Sequence, residues 1–408
     1  MNHTSLRGVL DARLPAWALP HAWPGGSDPA PAMIEFECGR IARLEPSQRT
    51  AAPREGWLDA RGAPVLPGFV EPHVHLDKAF IAHRLRDRRP GLLGGIAATS
   101  QDLVHWTDDD LAARARRAAT MACEAGVTRL RTHVNWWQPG APSSAWRVVG
   151  DIAREWRGRL EIERVALMPL RWFADAAGAD RVLSLLADGN GGVLAGAFVH
   201  TSTGDDDALH NLLVAADRAS VDVDLHVDEE IDPSACGSRR TAEICASIGF
   251  GGRVTLSHAC ALAAQPTDTA MTTLDSIARA PITIVSLPMT NLLLQDEVDG
   301  RTPRVRGLTL VHEARQRGIP VLFGSDSVQD AFCALGAIDP VETMLVAAVA
   351  AQLRRPFDDW SDALCGGRGR RLAGSAADLV VFPDADALSW PSRGWRRTVV
   401  RGGSLPSG

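Results

Sequence analysis

The chain has 408 residues, of which 45% are hydrophobic and 23% charged, a composition typical of a folded protein with room for a barrel of ~250 residues and a smaller domain. A net charge of −6 does not favour binding to nucleic acid or acidic membranes, and the sequence has no apolar run of ~18 residues that would predict a membrane span. Seven dispersed cysteines without a CxxC pair, behind an N-terminus without a secretory pattern, predict reduced thiols and a cytoplasmic location.

Short β segments are predicted near both ends of the chain. Met33–Glu37 alternates apolar and polar residues before a glycine turn into Arg40–Leu44. Towards the C-terminus, Ala377–Phe382 and Arg397–Arg401 are also β-like. These segments predict one small β domain built from both termini, around an α/β middle. The predicted limits are 1–66 and 371–408 for the small domain and 67–370 for the barrel domain.

Between these ends, short apolar runs alternate with helix-like stretches, which is typical of βαβ units and a parallel sheet. Eight such strands predict a (β/α)8 TIM-like barrel, whose catalytic face lies at the carboxyl ends of its strands. The predicted strands are Val65–Val70, Thr128–His133, Glu163–Met168, Gly196–Val199, Val221–His226, Arg253–Ser257, Ile282–Ser286 and Pro320–Phe323. Helix-like stretches include Leu111–Ala125, Ala145–Trp156, Asp207–Ala219 and Leu308–Arg317.

A histidine pair follows the first predicted strand. His73 and His75 are separated by one residue, and in an extended strand residues i and i+2 face the same side. Both imidazoles could therefore bind one metal ion. For this pair alone, two unrelated polar residues at a strand end are an equally good explanation.

Three later strands end in similar residues. One strand ends at His226, with Glu229 three residues further on, the next ends beside His258, and the last ends beside Asp326. Isolated core histidines have no reason to gather at one end of a barrel. Neutral imidazoles together with a carboxylate suit Zn²⁺ or Fe²⁺ rather than Mg²⁺ or Ca²⁺.

From about Pro67 to Gly336, the chain resembles the cytosine-deaminase branch of the amidohydrolase superfamily. The matching segments, in order, are EPHVHLD (71–77), RTHV (131–134), DLHVDE (224–229), RVTLSHA (253–259), LPMTNLLLQ (287–295), RGLT (306–309) and FGSDSVQD (323–330). The terminal β segments resemble the small β-sandwich that these enzymes share. The resemblance implies a metal-dependent hydrolase that acts on carbon–nitrogen bonds other than peptide bonds.

The resemblance also implies roles for single residues. Glu229 matches the acid–base group that moves protons between the attacking water and the leaving nitrogen. His258 matches the residue that holds this water and the tetrahedral centre, and Asp326 is catalytic as well as a ligand. The implied metal ligands are His73, His75, His226 and Asp326.

The number of metal ions follows from the position of lysine. Superfamily members with two metals bridge them through a carboxylated lysine on the fourth strand. Here the fourth predicted strand ends at Val199, and the only lysine, Lys78, follows the first-strand motif. We therefore predict one divalent metal ion, Zn²⁺ or Fe²⁺. Lys78 is expected to be solvated or to lie behind the ligands, rather than to be a catalyst.

Two residues depart from the pattern of cytosine-reading members. Those members carry a glutamine after Phe-Pro on the third strand and a second aspartate after the metal ligand. Here Leu170 and Ser327 occupy these positions, which weakens polar recognition of cytosine. Aromatic residues beyond the strand ends could stack on a flat ring or pack between loops. The candidate substrate contacts are Leu170, Trp172, His200, Ser327 and Phe332.

The leading interpretation is hydrolytic deamination of a cyclic amidine or amino-substituted N-heterocycle, a small-molecule substrate. The alternative is removal of an alkylamine, or opening of an amide, on a related ring, as in N-isopropylammelide amidohydrolase. A barrel that only binds a ligand needs neither Glu229 nor His258 and is not favoured. No nucleic acid or membrane partner is expected, and a homo-oligomer is left open.

Overall fold

A computed structural model describes residues 4–47, 54–86, 88–138, 140–186, 192–369 and 371–405. These residues divide into two compact units. Unit 1 holds the described residues of Met1–Val70, Ala122–Thr128 and Asp339–Gly408, and unit 2 holds those of Glu71–Met121 and Arg129–Ile338. Unit 1 thus includes residues from Asp339 onward that the sequence analysis gave to the barrel domain. The domain limits at 66/67 and 370/371 stay a prediction.

The described residues form seventeen strands. The first six are β1 Thr4–Ser5, β2 Gly8–Ala12, β3 Ala32–Glu37, β4 Arg40–Pro46, β5 Trp57–Asp59 and β6 Val65–Pro67. The next eight are β7 Phe69–Val74, β8 Val127–Asn135, β9 Glu161–Pro169, β10 Val193–Val199, β11 Val223–Val227, β12 Val254–His258, β13 Ile282–Ser286 and β14 Val321–Phe323. The last three are β15 Leu379–Val381, β16 Thr398–Val400 and β17 Ser404–Leu405.

The strands from the two chain ends form three small sheets, with orders β4-β3-β2-β5, β16-β15-β6 and β1-β17. The alternation predicted for β3 is observed, since Ala32 and Ile34 are buried while Met33 and Glu35 are partly exposed. Side chains of the two larger sheets, Ile34 and Leu379 among them, share one apolar core. This arrangement confirms the small β domain that both chain ends were expected to build.

Strands β7 to β14 form an eight-stranded sheet in which each strand neighbours the next in chain order. Every neighbouring pair from β8 to β14 runs parallel. The sheet closes where Val74 pairs with Asp326. Two backbone hydrogen bonds make this closure, from the Asp326 N–H to the His73 oxygen (2.8 Å) and from the His75 N–H to the Asp326 oxygen (3.2 Å). The (β/α)8 prediction is confirmed.

Helices connect the barrel strands. They are α1 Gly91–Asp102, α2 Asp108–Ala125, α3 Ser144–Trp156, α4 Ala176–Ser184, α5 Asp206–Ala219, α6 Gly237–Ile248, α7 Thr267–Ile277, α8 Pro288–Leu294 and α9 Val311–Gln316, followed by α10 Pro340–Ala350. Side-chain caps fix several starts; Ser143 accepts from the backbone of Trp146 ahead of α3, and Asp205 accepts from Ala208 in α5. No helix in the described part of the chain is long and apolar enough to cross a membrane.

The limits predicted for the first barrel strand, Val65–Val70, are wrong. The stretch is divided at Gly68, because Val65–Pro67 pairs with β15 and the barrel strand begins at Phe69. A Cβ on Gly68 would lie 2.4 Å from the Thr128 Cγ2 atom, so this close approach requires glycine. The other seven predicted strands overlap the observed ones.

Candidate active site

Four barrel strands bring ionisable side chains to one place. His73 lies one residue before the end of β7, His226 lies in β11, His258 ends β12 and Asp326 follows β14, and all four are at most 5% exposed. One possible ligand atom from each lies within 4.8 Å of the others. His75, also buried, places its Nε2 atom 3.1 Å from the His226 Nε2 atom and 3.2 Å from the Asp326 Oδ1 atom.

These donor atoms fit a metal ion. The His73 Nε2 atom is buried and has no hydrogen-bond partner among the described residues, although such an atom costs ~1–3 kcal/mol when left unpaired. The Nε2 atoms of His75 and His226 have about the ~3.3 Å spacing of two ligands on one tetrahedral Zn²⁺ with ~2.0 Å bonds. Burial holds the pKa of both imidazoles well below the usual range, so both are neutral and able to ligate at pH 7.

A chain of hydrogen bonds orients His73. Its Nδ1 atom lies 2.8 Å from the Ser257 Oγ atom, and the Ser257 hydroxyl donates to the Asp224 Oδ1 atom at 3.1 Å. Because the hydroxyl proton goes to Asp224, Ser257 must accept from the Nδ1–H of His73, which leaves the Nε2 lone pair free for a metal. Arg131 holds the other Asp224 oxygen at 2.8 Å, and His133 stacks on His73 with a centroid distance of 3.8 Å.

Glu229 and His258 lie side by side. The Glu229 Oε1 atom is 3.3 Å from the His258 Nδ1 atom, and the Asn291 Nδ2 atom is 3.0 Å from the same nitrogen. Burial, with the negative charge of Asp326 as a second cause, raises the pKa of Glu229 well above its usual range, while Lys78 lowers it. Burial lowers the pKa of His258 to about 3. The pair therefore offers a carboxyl group that retains a proton beside a neutral imidazole.

The backbone is strained at these strand ends. His258 has φ 74°, Asp326 has φ 58° and Asp228, next to Glu229, has φ 50°. Non-glycine residues in the left-handed region cost ~1–3 kcal/mol each and are concentrated at functional sites. The unusual conformations turn these residues out of the strand pattern at the point where the side chains meet.

The cluster opens into a cavity of about 510 Å³ with mainly apolar walls. Apolar residues of α1, including Leu92 and Ile96, form one wall, which the sequence analysis missed. Of the five predicted substrate contacts, Leu170 and Phe332 line this cavity. The aromatic residues Trp136, Trp137 and Phe198 also line it.

The remaining predicted contacts lie elsewhere among the described residues. Trp172 follows a cavity-lining residue on a tight turn but is not part of the lining itself. His200 pairs with Glu230, and its Nε2 atom lies 3.2 Å from the Glu230 Oε2 atom. Ser327 is buried behind Asp326, where its hydroxyl lies 3.5 Å from the Asp326 Oδ1 atom. The structure does not bring these three side chains to the cavity.

Three residues near the cluster were not among the predicted site residues. Lys78 is 6% exposed and lines the cavity, so of its two expected placements, solvated or behind the ligands, the solvated one is wrong. His133 belongs to the RTHV segment and shares its β8 face with Arg131, an i, i+2 pattern that could have identified it. Asn291 lies on α8 within the LPMTNLLLQ segment, where nothing but the segment match indicated it.

Comparisons with known proteins match this architecture. Residues 91–404 match the family model described as "Amidohydrolase family". A pterin deaminase of Rhizobium rhizogenes (strain K84) is 34% identical over 369 residues, covering 87% of this chain and 83% of the relative.

Two solved structures share the fold. The 5-methylcytosine deaminase from Klebsiella pneumoniae, liganded with phosphonocytosine, is 25% identical, with a TM-score of 0.81 and coverage of 98% of both chains. The N-isopropylammelide isopropylaminohydrolase from Burkholderia multivorans is 24% identical, with a TM-score of 0.74 over 98% of this chain and 97% of that one.

Proposed function

This chain belongs to the amidohydrolase family, and we propose that it is a metal-dependent deaminase that replaces the amino group of an N-heterocycle with an oxo group. The observation that carries the proposal is the meeting of buried imidazoles and carboxylates from four strand ends at one cavity. The relatives named pterin deaminase and 5-methylcytosine deaminase support an amino-substituted ring as substrate. The cavity volume lies within the ~300–1,000 Å³ range of small-molecule sites.

The proposed ligands of one Zn²⁺ or Fe²⁺ ion are His73, His75, His226 and Asp326. The chemistry that such an ion supplies is activation of water at neutral pH. The side chains of His75 and His226 contribute neutral nitrogens, and Asp326 contributes the negative charge that balances a divalent cation. No lysine lies on β10, which supports a single ion.

We propose that Glu229 moves the protons. It takes a proton from the attacking water and gives one to the leaving amine, because a buried carboxyl with a raised pKa can hold a proton at neutral pH. The His258 Nδ1 atom lies 3.3 Å from the Glu229 Oε1 atom. The Nε2 atom of His258, which has no partner among the described residues, would hold the oxygen that the attacking water adds to the substrate carbon. Asn291 fixes the ring of His258 from behind.

The test is ammonia release by metal-replete protein from pterin, cytosine, 5-methylcytosine and N-isopropylammelide. We expect pterin to be turned over with kcat/KM of ~10⁴ M⁻¹s⁻¹ or more, an ordinary enzyme value. Cytosine should be poorer because Leu170 cannot hydrogen-bond its ring. Isopropylamine release without ammonia would support the alkylamine alternative, and no release from any ring would contradict the proposal.

Metal content gives an independent measurement. We expect one equivalent of zinc or iron per chain by elemental analysis, and two equivalents would contradict the single-ion proposal. The location of the protein is also part of the proposal. None of the seven cysteines, all of which lie in the described part of the chain, forms a disulfide bond, which supports the cytoplasmic location expected from the sequence.

A further inference from the structure

Lys78 is the only lysine of the chain and an unusual one. It is 6% exposed, and its Nζ atom lies over the Phe332 ring, 3.7 Å from the centroid. Among the described residues, no carboxylate lies within salt-bridge distance of its ammonium and no group hydrogen-bonds to it. The side chain lines the same cavity as Glu229 and Asp326. A buried cation thus faces the cavity with its donors free.

Balancing the negative charges of nearby carboxyl groups explains only part of why Lys78 is buried beside the cavity. Burial raises the pKa of Asp77, Glu229 and Asp330, and the charge of Lys78 opposes that rise, so these carboxyl groups lie within electrostatic range of the ammonium. One oxygen of each of two carboxylates is bonded elsewhere: the Asp77 Oδ2 atom accepts from Asn135, and the Asp330 Oδ1 atom accepts from the Phe332 backbone. The Asp77 Oδ1 and Asp330 Oδ2 atoms are buried and have no hydrogen-bond partner among the described residues. None of these oxygens forms a hydrogen bond with the ammonium, so its three N–H donors are available to a molecule in the cavity.

A ligand in the cavity can supply an acceptor that the neighbouring apolar wall does not. Leu92, Ile96, Leu170 and the Phe332 ring cannot accept a strong hydrogen bond. The face of Phe332 is covered by the ammonium, so that face is not free to stack on a substrate. Ring oxo groups are strong acceptors in amino-substituted N-heterocycles.

We propose that Lys78 binds the oxo oxygen of the substrate ring and selects rings that carry both an amino and an oxo group. The inference rests on the proposed deamination. Water forms a bond to the carbon that carries the amino group, and the C=N electron pair moves onto the ring nitrogen and its conjugated oxo oxygen. One proton of the water goes to the ring nitrogen. The C–N bond to the amine then breaks, the amine leaves as ammonia with the other proton of the water, and the new C=O forms. Lys78 donates a hydrogen bond to the oxo oxygen and stabilises the negative charge that develops there.

Kinetics with two rings separate recognition from a structural role. Pterin carries an oxo group that 2-aminopteridine lacks, while the amino group and the fused rings are the same. We expect Lys78→Met to lower kcat/KM for pterin by ~10- to 100-fold, the usual effect of losing a hydrogen bond to a charged group, and to change the value for 2-aminopteridine far less. Equal losses for both rings, or no loss for pterin, would overturn the inference. Arg279→Met removes an exposed cation outside the cavity and is the matched control.

The single lysine also permits a direct binding measurement. Reductive ¹³C-methylation labels Lys78 and the α-amino group alone, and the signal missing in Lys78→Met is that of Lys78. Lumazine, the dioxo product of pterin deamination, should shift this signal, whereas pteridine without oxo groups should not. A shift with lumazine in a protein that releases no ammonia would keep the inference and reject the proposed function. Ammonia release with no shift and no effect of Lys78→Met would do the reverse.

Discussion

Ile34 and Val9 in the small sheets and His73 and His226 in the barrel are buried to a similar degree, but their surroundings differ. The first pair belongs to a core whose members are all apolar. The second pair lies in a cluster with buried nitrogen atoms that have no hydrogen-bond partner in the described part of the chain. One region is built from contacts that favour folding, and the other from groups whose burial opposes it.

The difference shows that the polar cluster of the barrel lowers the stability of the fold in the region whose side chains can carry out chemistry. Each unpaired buried nitrogen costs ~1–3 kcal/mol, and each left-handed non-glycine residue at a strand end adds a similar amount. His258 carries both kinds of cost, since its backbone is left-handed and its Nε2 atom has no partner among the described residues, while Asp326 carries the backbone strain. Functional sites hold strained backbone and unpaired buried polar groups that stability alone would not favour, and here both features occur at the same end of the barrel.

The largest expected effect lies in the polar cluster. Glu229→Gln should retain the metal and lower kcat by ~10²- to 10⁴-fold, because the amide keeps the shape of the side chain but cannot carry protons. Steady-state kinetics and elemental analysis of the same preparation would measure both. Glu230→Gln, which changes a neighbouring carboxylate that bonds to His200, is the control. An active Glu229→Gln enzyme would assign proton transfer to another group.

The second effect belongs to the apolar core. Ile34→Ala should lower the free energy of unfolding by ~2–5 kcal/mol, because it removes fully buried methyl groups and leaves a cavity. Activity per folded molecule should not change. Urea denaturation followed by circular dichroism measures the loss, and Val349→Ala on the exposed face of α10 is the control. A loss below ~1 kcal/mol would mean that this core contributes little to stability.

A smaller effect is expected at a residue that only orients a ligand. Ser257→Ala breaks the link from His73 to Asp224 and should lower metal affinity by ~10- to 100-fold, the usual effect of losing such a partner. Competition with a chelator measures the affinity. Ser286→Ala removes a buried hydroxyl that has no hydrogen-bond partner among the described residues. An equal fall in metal affinity in both variants would show that the contact between Ser257 and His73 does not specifically support metal binding.

The barrel was predictable because its strands are continuous apolar runs that end in polar residues. For Ile282–Ser286 the predicted limits match the observed strand. The first strand failed because Val65–Pro67 is as apolar as the barrel strand, and only tertiary pairing with β15 separates the two. Helix α1 was missed because Gly94 and Gly95 weaken its helical pattern, although packing of Gly95 against Phe332 requires a residue without a side chain.

In the site, the metal-ligand candidates were predictable because strand ends share one face of a barrel. The residues that surround the metal-ligand candidates were not predictable, because their positions depend on the conformations of the loops that follow the strands. Trp172 and His200 follow strands as the cavity residues do, yet local turns place their side chains outside the cavity lining. The burial of Lys78 depends on Phe332, a residue far away along the chain whose position the sequence does not reveal.

The closure of the barrel through His73, His75 and Asp326 has a consequence for biosynthesis. The first and last strands meet through the backbone of the same residues whose side chains are the proposed ligands. A chain that emerges from the ribosome N-terminus first cannot form this seam until β14 has been made. The proposed four-ligand site is therefore complete only when β14 has been made. A truncated chain that lacks Asp326 has three of the four proposed ligands, and it would gain less of the stabilisation that a bound ion gives to a folded protein.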